Sequence, residues 1–413
     1  MKKNQCPIHL WRCCVCALIT TLLGAQIMSA ETRSTSTSGS PKKVMGLEKV
    51  IAFYGAYPEL ESQTFTRGGD WKYWKARGGI VSEGVVHYNF LRKNVDEASD
   101  VLVQMDFADN PNPVINIDEF GWDYDGGIDQ HTAAVLQAVH EKRPDLKITV
   151  WQMRGPVAPE LAAVYQQTVE LGLLETYFDL NDAWMIPFQL QAARLTGLLD
   201  KSVVALGLGK ESKDKGDHRW TQTAEELEQQ IHLIRFVAPE SPGVGFFGKW
   251  KLKENNCPLT DEQLDEICRR FLETPTDGSG LAPELLELGR VFTKHYEKPA
   301  IFCSSEFALP HFHSGHDGGP WGSTREPPTV RLLMMNLGQE DAKGVKARLR
   351  SPGDEGEVWA SGQADIPARS VAIALLDILP GKQYNGWTGT EILEVEAPGS
   401  AVFIFTDSRF HGR

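Results

Sequence analysis

The pattern of hydrophobic and polar positions divides the chain in two. From Val44 to about Pro299, short β-branched runs alternate with stretches of helical spacing. Strands are predicted over residues 49–56, 79–88, 114–119, 146–153, 175–180, 202–209 and 243–248. Helices are predicted from Asn94 toward Phe107, from Asp129 or Thr132 to Lys142, and over 159–171, 186–199, 223–237 and 260–272. Asn94 and Thr223 are good N-caps, and Glu226 completes a capping box with Thr223. Strand followed by helix at these intervals means parallel βαβ units. Seven strands over a span near the roughly 250 residues of an eight-stranded barrel predict an α/β fold, a TIM-like (β/α)8 barrel over 44–299. A doubly wound sheet is the alternative, but no glycine-rich phosphate turn follows the first strand.

Past Pro299 the helical period disappears. Residues 300–328 are rich in His, Gly and Pro and read as a linker. Short β-patterned runs follow at 329–336, 344–349, 357–359, 370–378, 391–396 and 401–405, separated by turn signals. A small antiparallel β-sandwich domain over 329–413 is expected.

One stretch brings chemistry into this scaffold. Pro113-Val114-Ile115-Asn116-Ile117-Asp118-Glu119-Phe120-Gly121-Trp122 is an apolar run ending in two adjacent carboxylates and then aromatics. By parity Asn116 and Asp118 share one face and Ile115, Ile117 and Glu119 the other. The outer face of a barrel strand meets helices and should be apolar, so Asn116 and Asp118 point inward, while a twist or bulge is needed to carry Glu119 over the mouth. The same reasoning turns Tyr177, Asp179 and Asn181 inward, leaves Asp182 and Trp184 in the next loop, and puts Gln152 and Arg154 on one face. Carboxylates from separate strand ends suit glycoside hydrolysis, which needs one protonated acid and one ionised partner. The candidate catalytic residues are therefore Asp118, Glu119, Asp179 and Asp182. The candidate sugar contacts are Tyr177, Gln152, Arg154, Trp184, Trp122 and Trp250.

Other clusters carry less. Asp123, Asp125 and Asp129 around Gly126-Gly127 lack the terminal glutamate of a calcium loop and read as a solvated turn. His311, His313, His316 and Asp317 offer zinc-ligand chemistry, but the glycines and Pro320 around them make this an ordinary exposed loop. No metal and no cofactor is expected. No G-x-S-x-G occurs, so a serine nucleophile is not expected either.

Three pieces, Val114-Ile115-Asn116-Ile117-Asp118-Glu119-Phe120-Gly121, Thr176-Tyr177-Phe178-Asp179 and Val203 to Gly209, give the chain its resemblance to secreted glycoside hydrolases with a (β/α)8 barrel and a C-terminal β-sandwich. The second piece resembles the Tyr-Asp strand end of chitinase-type barrels. The acidic D-x-x-D-x-D-x-E motif of that family is missing, as is the Asn-Glu pair of many retaining β-glycosidases. The resemblance implies cleavage of a polysaccharide or oligosaccharide. A non-catalytic carbohydrate-binding or cell-surface protein on the same scaffold is the alternative.

Composition adds three points. A formal net charge of -13 argues against a nucleic-acid backbone as partner. Basic residues at Lys2, Lys3 and Arg12, an apolar run from Cys13 to Met28 and small residues at Ser29-Ala30 predict an export signal over 1–30, with a polar leader over 31–43. The mature chain would then be periplasmic or extracellular, with no membrane attachment. It would keep Cys257, Cys268 and Cys303, read as structural.

Overall fold

A computed structural model of the chain describes residues 43–87, 93–107, 109–120, 130–152, 159–177, 180–210, 219–220, 223–248, 259–311, 329–351, 357–380 and 392–406. Its first sheet is built from β1 (Val50–Phe53), β2 (Phe65–Arg67), β3 (Ile80–Ser82), β4 (Gly84–His87), β5 (Val114–Phe120), β6 (Lys147–Gln152), β7 (Val169–Thr176), β8 (Ser202–Lys210) and β10 (Gly243–Gly248), with the two-residue β9 (Arg219–Trp220) antiparallel on β8. β3 and β4 are halves of one strand broken at Glu83. β3 pairs with β2 and β4 with β5, and the Glu83 amide donates to the Val114 carbonyl at 3.0 Å. β1 pairs with both β2 and β10. The neighbours therefore follow one another around a closed ring of eight parallel positions, a TIM-like barrel.

The helices α1 (Trp71–Ala76), α2 (Val95–Val103), α3 (Gln130–Lys142), α4 (Pro159–Thr168), α5 (Met185–Leu195), α6 (Ala224–Val237), α7 (Asp261–Arg269) and α8 (Pro283–Thr293) connect these strands or follow the last of them. Strand parity sorts the barrel residues into an inside and an outside. Val50, Ala52, Phe65, Val114, Leu171, Leu173, Val203 and Ala205 fill the interior, where Val44, Met45 and Leu47 also pack. Ile51, Phe53, Val204, Leu206, Val244 and Phe246 face outward against α5, α6 and α7, and Ile115, Ile117, Ile148 and Val150 against α2, α3 and α4. Strands buried on both faces must be apolar at nearly every position, which is why their sequences run almost without polar breaks. At Gly243 a Cβ would stand 1.8 Å from the Val50 carbonyl oxygen, so the β1–β10 seam closes only around a glycine.

The second sheet orders its strands β16-β13-β14-β15-β12-β11-β17: β11 (Ala300–His311), β12 (Thr329–Asn336), β13 (Ala342–Arg350), β14 (Val358–Ile366), β15 (Ser370–Ile378), β16 (Ile392–Glu396) and β17 (Ala401–Phe405). Every pairing is antiparallel except β11 with β17. One face builds its own core from Ile301, Cys303, Leu332, Met334, Leu349, Leu376 and others. The other face carries Phe302, Phe307, Leu333 and Met335 onto Trp184, Phe188 and Phe292 of the barrel's helical layer. Both sheets lie within one compact unit, Pro41–Arg413.

Four expectations change. The eighth strand is β2, three residues inside a stretch that reads as polar loop. β7 starts at Val169, six residues before its predicted position, because Val169, Leu171 and Leu173 belong to barrel cores and the helix ahead of it stops at Thr168. Helix α1, in the same predicted loop as β2 around Asp70, Trp71, Tyr73 and Trp74, and helix α8 have no sequence prediction. The expected linker 300–328 is a 12-residue strand in its first part. Cys268 and Cys303 are buried free thiols, and Cys257 lies outside the described residues.

Candidate functional site at the barrel mouth

The barrel interior is apolar at the level of Val50, Val114 and Leu171 and polar toward the C-terminal strand ends. Asn116 and Thr149 are register partners on β5 and β6, and the Thr149 hydroxyl lies 2.9 Å from the Ile115 carbonyl and 3.0 Å from Asn116 Oδ1. The amide nitrogen of Asn116 and the indole nitrogen of Trp151 are buried donors without an acceptor among the described residues.

One layer further up sits Asp118. Its Oδ2 accepts from the Tyr54 hydroxyl at 2.9 Å and from Arg67 Nη1 at 3.0 Å. The Asp118 and Arg67 side chains are 12% and 16% exposed, so this ion pair is largely withdrawn from water yet reaches the surface. The Arg67 guanidinium also lies over the Tyr54 ring, 4.0 Å from its centroid. Tyr54 in turn meets Trp151 and Phe247 edge to face at 5.2 and 4.6 Å. Aromatic walls of this kind fix χ angles, so Arg67 presents its charge to Asp118 without needing to be ordered. The β5–β6 register slips between Ile117 and Phe120, at Asp118-Glu119, and Asp118 is also the register partner of His87.

The end of β7 supplies the other side. Glu175 is half-buried, and Tyr177 stacks on Phe247 with ring centroids 4.5 Å apart. The Tyr177 hydroxyl is pushed well above the usual phenol range, first by burial, then by the charges of Glu175 and Asp118, with Arg67 opposing. The shift keeps Tyr177 neutral. Glu175 and Tyr177 continue the inward parity of Leu171 and Leu173 along β7, as Asp118 continues that of Val114 and Asn116 along β5, so all three side chains face the barrel interior at its mouth.

The sequence-predicted residues divide as follows. Asp118 and Tyr177 meet at the mouth. Asp182 is 1% exposed inside the 3-10 turn Leu180–Asp182, too enclosed to attack a substrate. Gln152 is 4% exposed and has the opposite parity to the inward-facing Thr149 and Trp151 on β6, so it does not line the mouth. Trp184 is 4% exposed and stacks on Phe405 at 5.3 Å, with Phe307 edge to face at 6.0 Å. It packs the barrel's helices against the second sheet and has no face left for a sugar. Asp179, Arg154, Trp122 and Trp250 lie outside the described residues, as do the side chains of Glu119 and His311 and all of His313 and His316. Among the described residues no group of three or more His, Cys, Asp or Glu is placed to hold a metal ion.

Sequence reasoning missed Glu175, Arg67 and Tyr54. Glu175 carries the same parity as Tyr177 and was open to the same argument once β7 is started at the right residue. Arg67 lies on the short strand that reads as loop. Tyr54 stands at the C-terminal end of the first strand, where its polar tip was the available signal.

No protein-family model matches the chain, and no curated protein does. Among solved structures the chain is similar to a GH18 chitinase from Pseudoalteromonas aurantia, at 14% identity over 54% of this chain and 99% of that one, with a TM-score of 0.35. It is also similar to a glycoside hydrolase family 5 protein from Bacteroides vulgatus (10% identity, 84% of this chain, 88% of that one, TM-score 0.31). A family GH18 chitinase from Chromobacterium violaceum is similar at 9% identity, over 86% of this chain and 89% of that one, with a TM-score of 0.34. The barrel itself follows from the strand register, independently of these likenesses.

Proposed function

We propose that this protein is an exported enzyme of the glycoside-hydrolase type, acting on a polysaccharide or oligosaccharide at the barrel mouth. The observation that carries this reading is that Asp118 and Glu175 both face inward, by strand parity, at the C-terminal ends of β5 and β7. That rim is where parallel barrels carry their chemistry. β5 and β7 are two positions apart on the ring, about 9–10 Å from axis to axis at the usual ~4.8 Å strand spacing. Side chains leaning inward from those ends reach the roughly 5–9.5 Å over which glycosidase carboxylate pairs act.

The roles follow from the surroundings. Arg67 and the Tyr54 hydroxyl both favour the ionised form of Asp118, which makes it the group that attacks the anomeric carbon or takes a proton from water. Glu175 is the complementary proton donor to the leaving oxygen. Tyr177 stays neutral beside the pair, and the rings of Tyr54 and Phe247, both half-buried, form the apolar wall over the buried Trp151. The test is release of reducing ends from a panel of polysaccharides by intact protein and by Asp118→Asn. A loss of about 10²–10⁴ in rate is expected, with the fold unchanged by circular dichroism. Equal rates for the two proteins remove the reading.

A second reading, a non-catalytic carbohydrate-binding protein on the same scaffold, is favoured by the withdrawal of Asp118 into its ion pair with Arg67. It predicts saturable binding of a polysaccharide with no cleavage of any member of the panel.

A further inference from the structure

We propose that the exposed face of α1 binds an anionic polysaccharide and leads it to the barrel mouth. The helix is short and mostly solvent-facing: only Trp74 is buried, while Lys72, Tyr73, Lys75 and Arg77 at its C-cap are exposed and Trp71 is half-exposed. Tyr73 is 39% exposed. The cations are arranged on these rings. Lys72 and Lys75 Nζ lie 5.6 and 5.7 Å from the Trp71 ring, and the Arg77 guanidinium lies 5.3 Å from that of Tyr73.

Three cations stand within six residues on this surface. The chain carries a formal net charge of -13, and its described cations commonly face carboxylates, as Lys142 does with Asp100, Arg194 with Glu240, Arg270 with Glu266 and Lys298 with Glu340. Among the described residues, Lys72, Lys75 and Arg77 form no ion pair. The nearest acid along the chain, Asp70, is engaged in capping the helix, accepting from the Lys72 amide at 2.9 Å. Three uncompensated cations beside sugar-sized aromatic faces complement a chain of rings bearing carboxylate or sulfate groups. The same segment leads to the mouth: Arg67, three residues before the Asp70 cap, is the partner of Asp118. This inference rests on the mouth being the carbohydrate site proposed above.

The experiment is isothermal titration of the full mature chain with an oligogalacturonate, a sulfated oligosaccharide, a neutral cello-oligosaccharide and single-stranded DNA of matched length. It compares intact protein with the combined Lys72→Gln, Lys75→Gln, Arg77→Gln variant and with Lys72→Arg, Lys75→Arg. Preference for the carboxylated or the sulfated sugar identifies the source of the charge. The expected result is affinity for one of them that falls about tenfold or more in the glutamine variant, survives in the arginine variant, and weakens steeply with salt as exposed charge pairs do. Unchanged affinity in the glutamine variant overturns the proposal. So does binding of the neutral sugar or the DNA as tight as that of the anionic sugars. α1-dependent binding without cleavage would leave this inference standing and remove the enzyme. Cleavage of a neutral polysaccharide, indifferent to the α1 changes, would do the reverse.

Discussion

Glu83 shows what a single misplaced side chain does to a barrel. It sits where β3 gives way to β4, and the inward parity set by Ile80 and Ser82 does not carry through to Gly84, which meets Met105 and Ile115 on the outside. Both its carboxylate oxygens are buried, and neither meets hydrogen-bond geometry. Burial raises its pKa above the usual glutamate range, the Asn110 side chain opposes this, and nearby Asp106 adds to it. A folded-state pKa above the unfolded one gives stability that is fully present below the unfolded value and lost as pH rises through the folded one. Urea unfolding of the wild type should therefore weaken as pH rises from about 4 toward neutrality. Glu83→Gln should lack that component and be the more stable protein at pH 7. Parallel pH curves for the two would contradict the assignment. The same reasoning at Arg67 predicts that Arg67→Met, which strands the Asp118 charge, costs up to about 3–5 kcal/mol in urea titration. A loss below about 1 kcal/mol would mean that the pair is solvated like a surface bridge.

Among strands and helices, what was legible followed local periodicity and caps. α6 begins at Thr223 with the capping box read from Thr223 and Glu226, and β5, β6, β8 and β10 fall where β-branched runs end in turn residues. Illegible elements owe their form to neighbours. β2 is three residues long and exists because β1 and β3 pair with it on both sides, a fact about the ring and not about Phe65–Arg67. β7 follows α4 without a loop, so no turn signal announces it, and reading its start late moved the predicted acid from Glu175 to Asp179. Gly243 carries a prediction here. Gly243→Ala places a methyl against the Val50 backbone, which cannot swing away as a side chain can. The β1–β10 seam should open at a cost of about 1–3 kcal/mol or more, with a lowered melting temperature and faster amide exchange in β1. Normal exchange in β1 would mean that the seam tolerates the added carbon.

At the scale of the entire chain, the change of texture near Pro299 located the second sheet, but its attachment was hidden. The aromatics that join the two parts, Trp184, Phe188, Phe292, Phe302, Phe307 and Phe405, come from distant segments and look like ordinary core residues or, for Trp184, a sugar platform. Phe188 and Phe307 stack at 4.4 Å across this interface. Phe188→Ala should destabilise by about 3–5 kcal/mol, and a chain ending at residue 299 should expose this surface and aggregate. A soluble, monomeric truncation would show that the barrel needs no partner sheet. The function proposed for the whole turns on Glu175, which only the fold brings to Asp118. The most direct measurement is the rate of reducing-end release by Glu175→Gln on the polysaccharide that the intact protein cleaves. A fall of about 10²–10⁴ with unchanged substrate affinity is expected, and cleavage at the full rate would contradict the account.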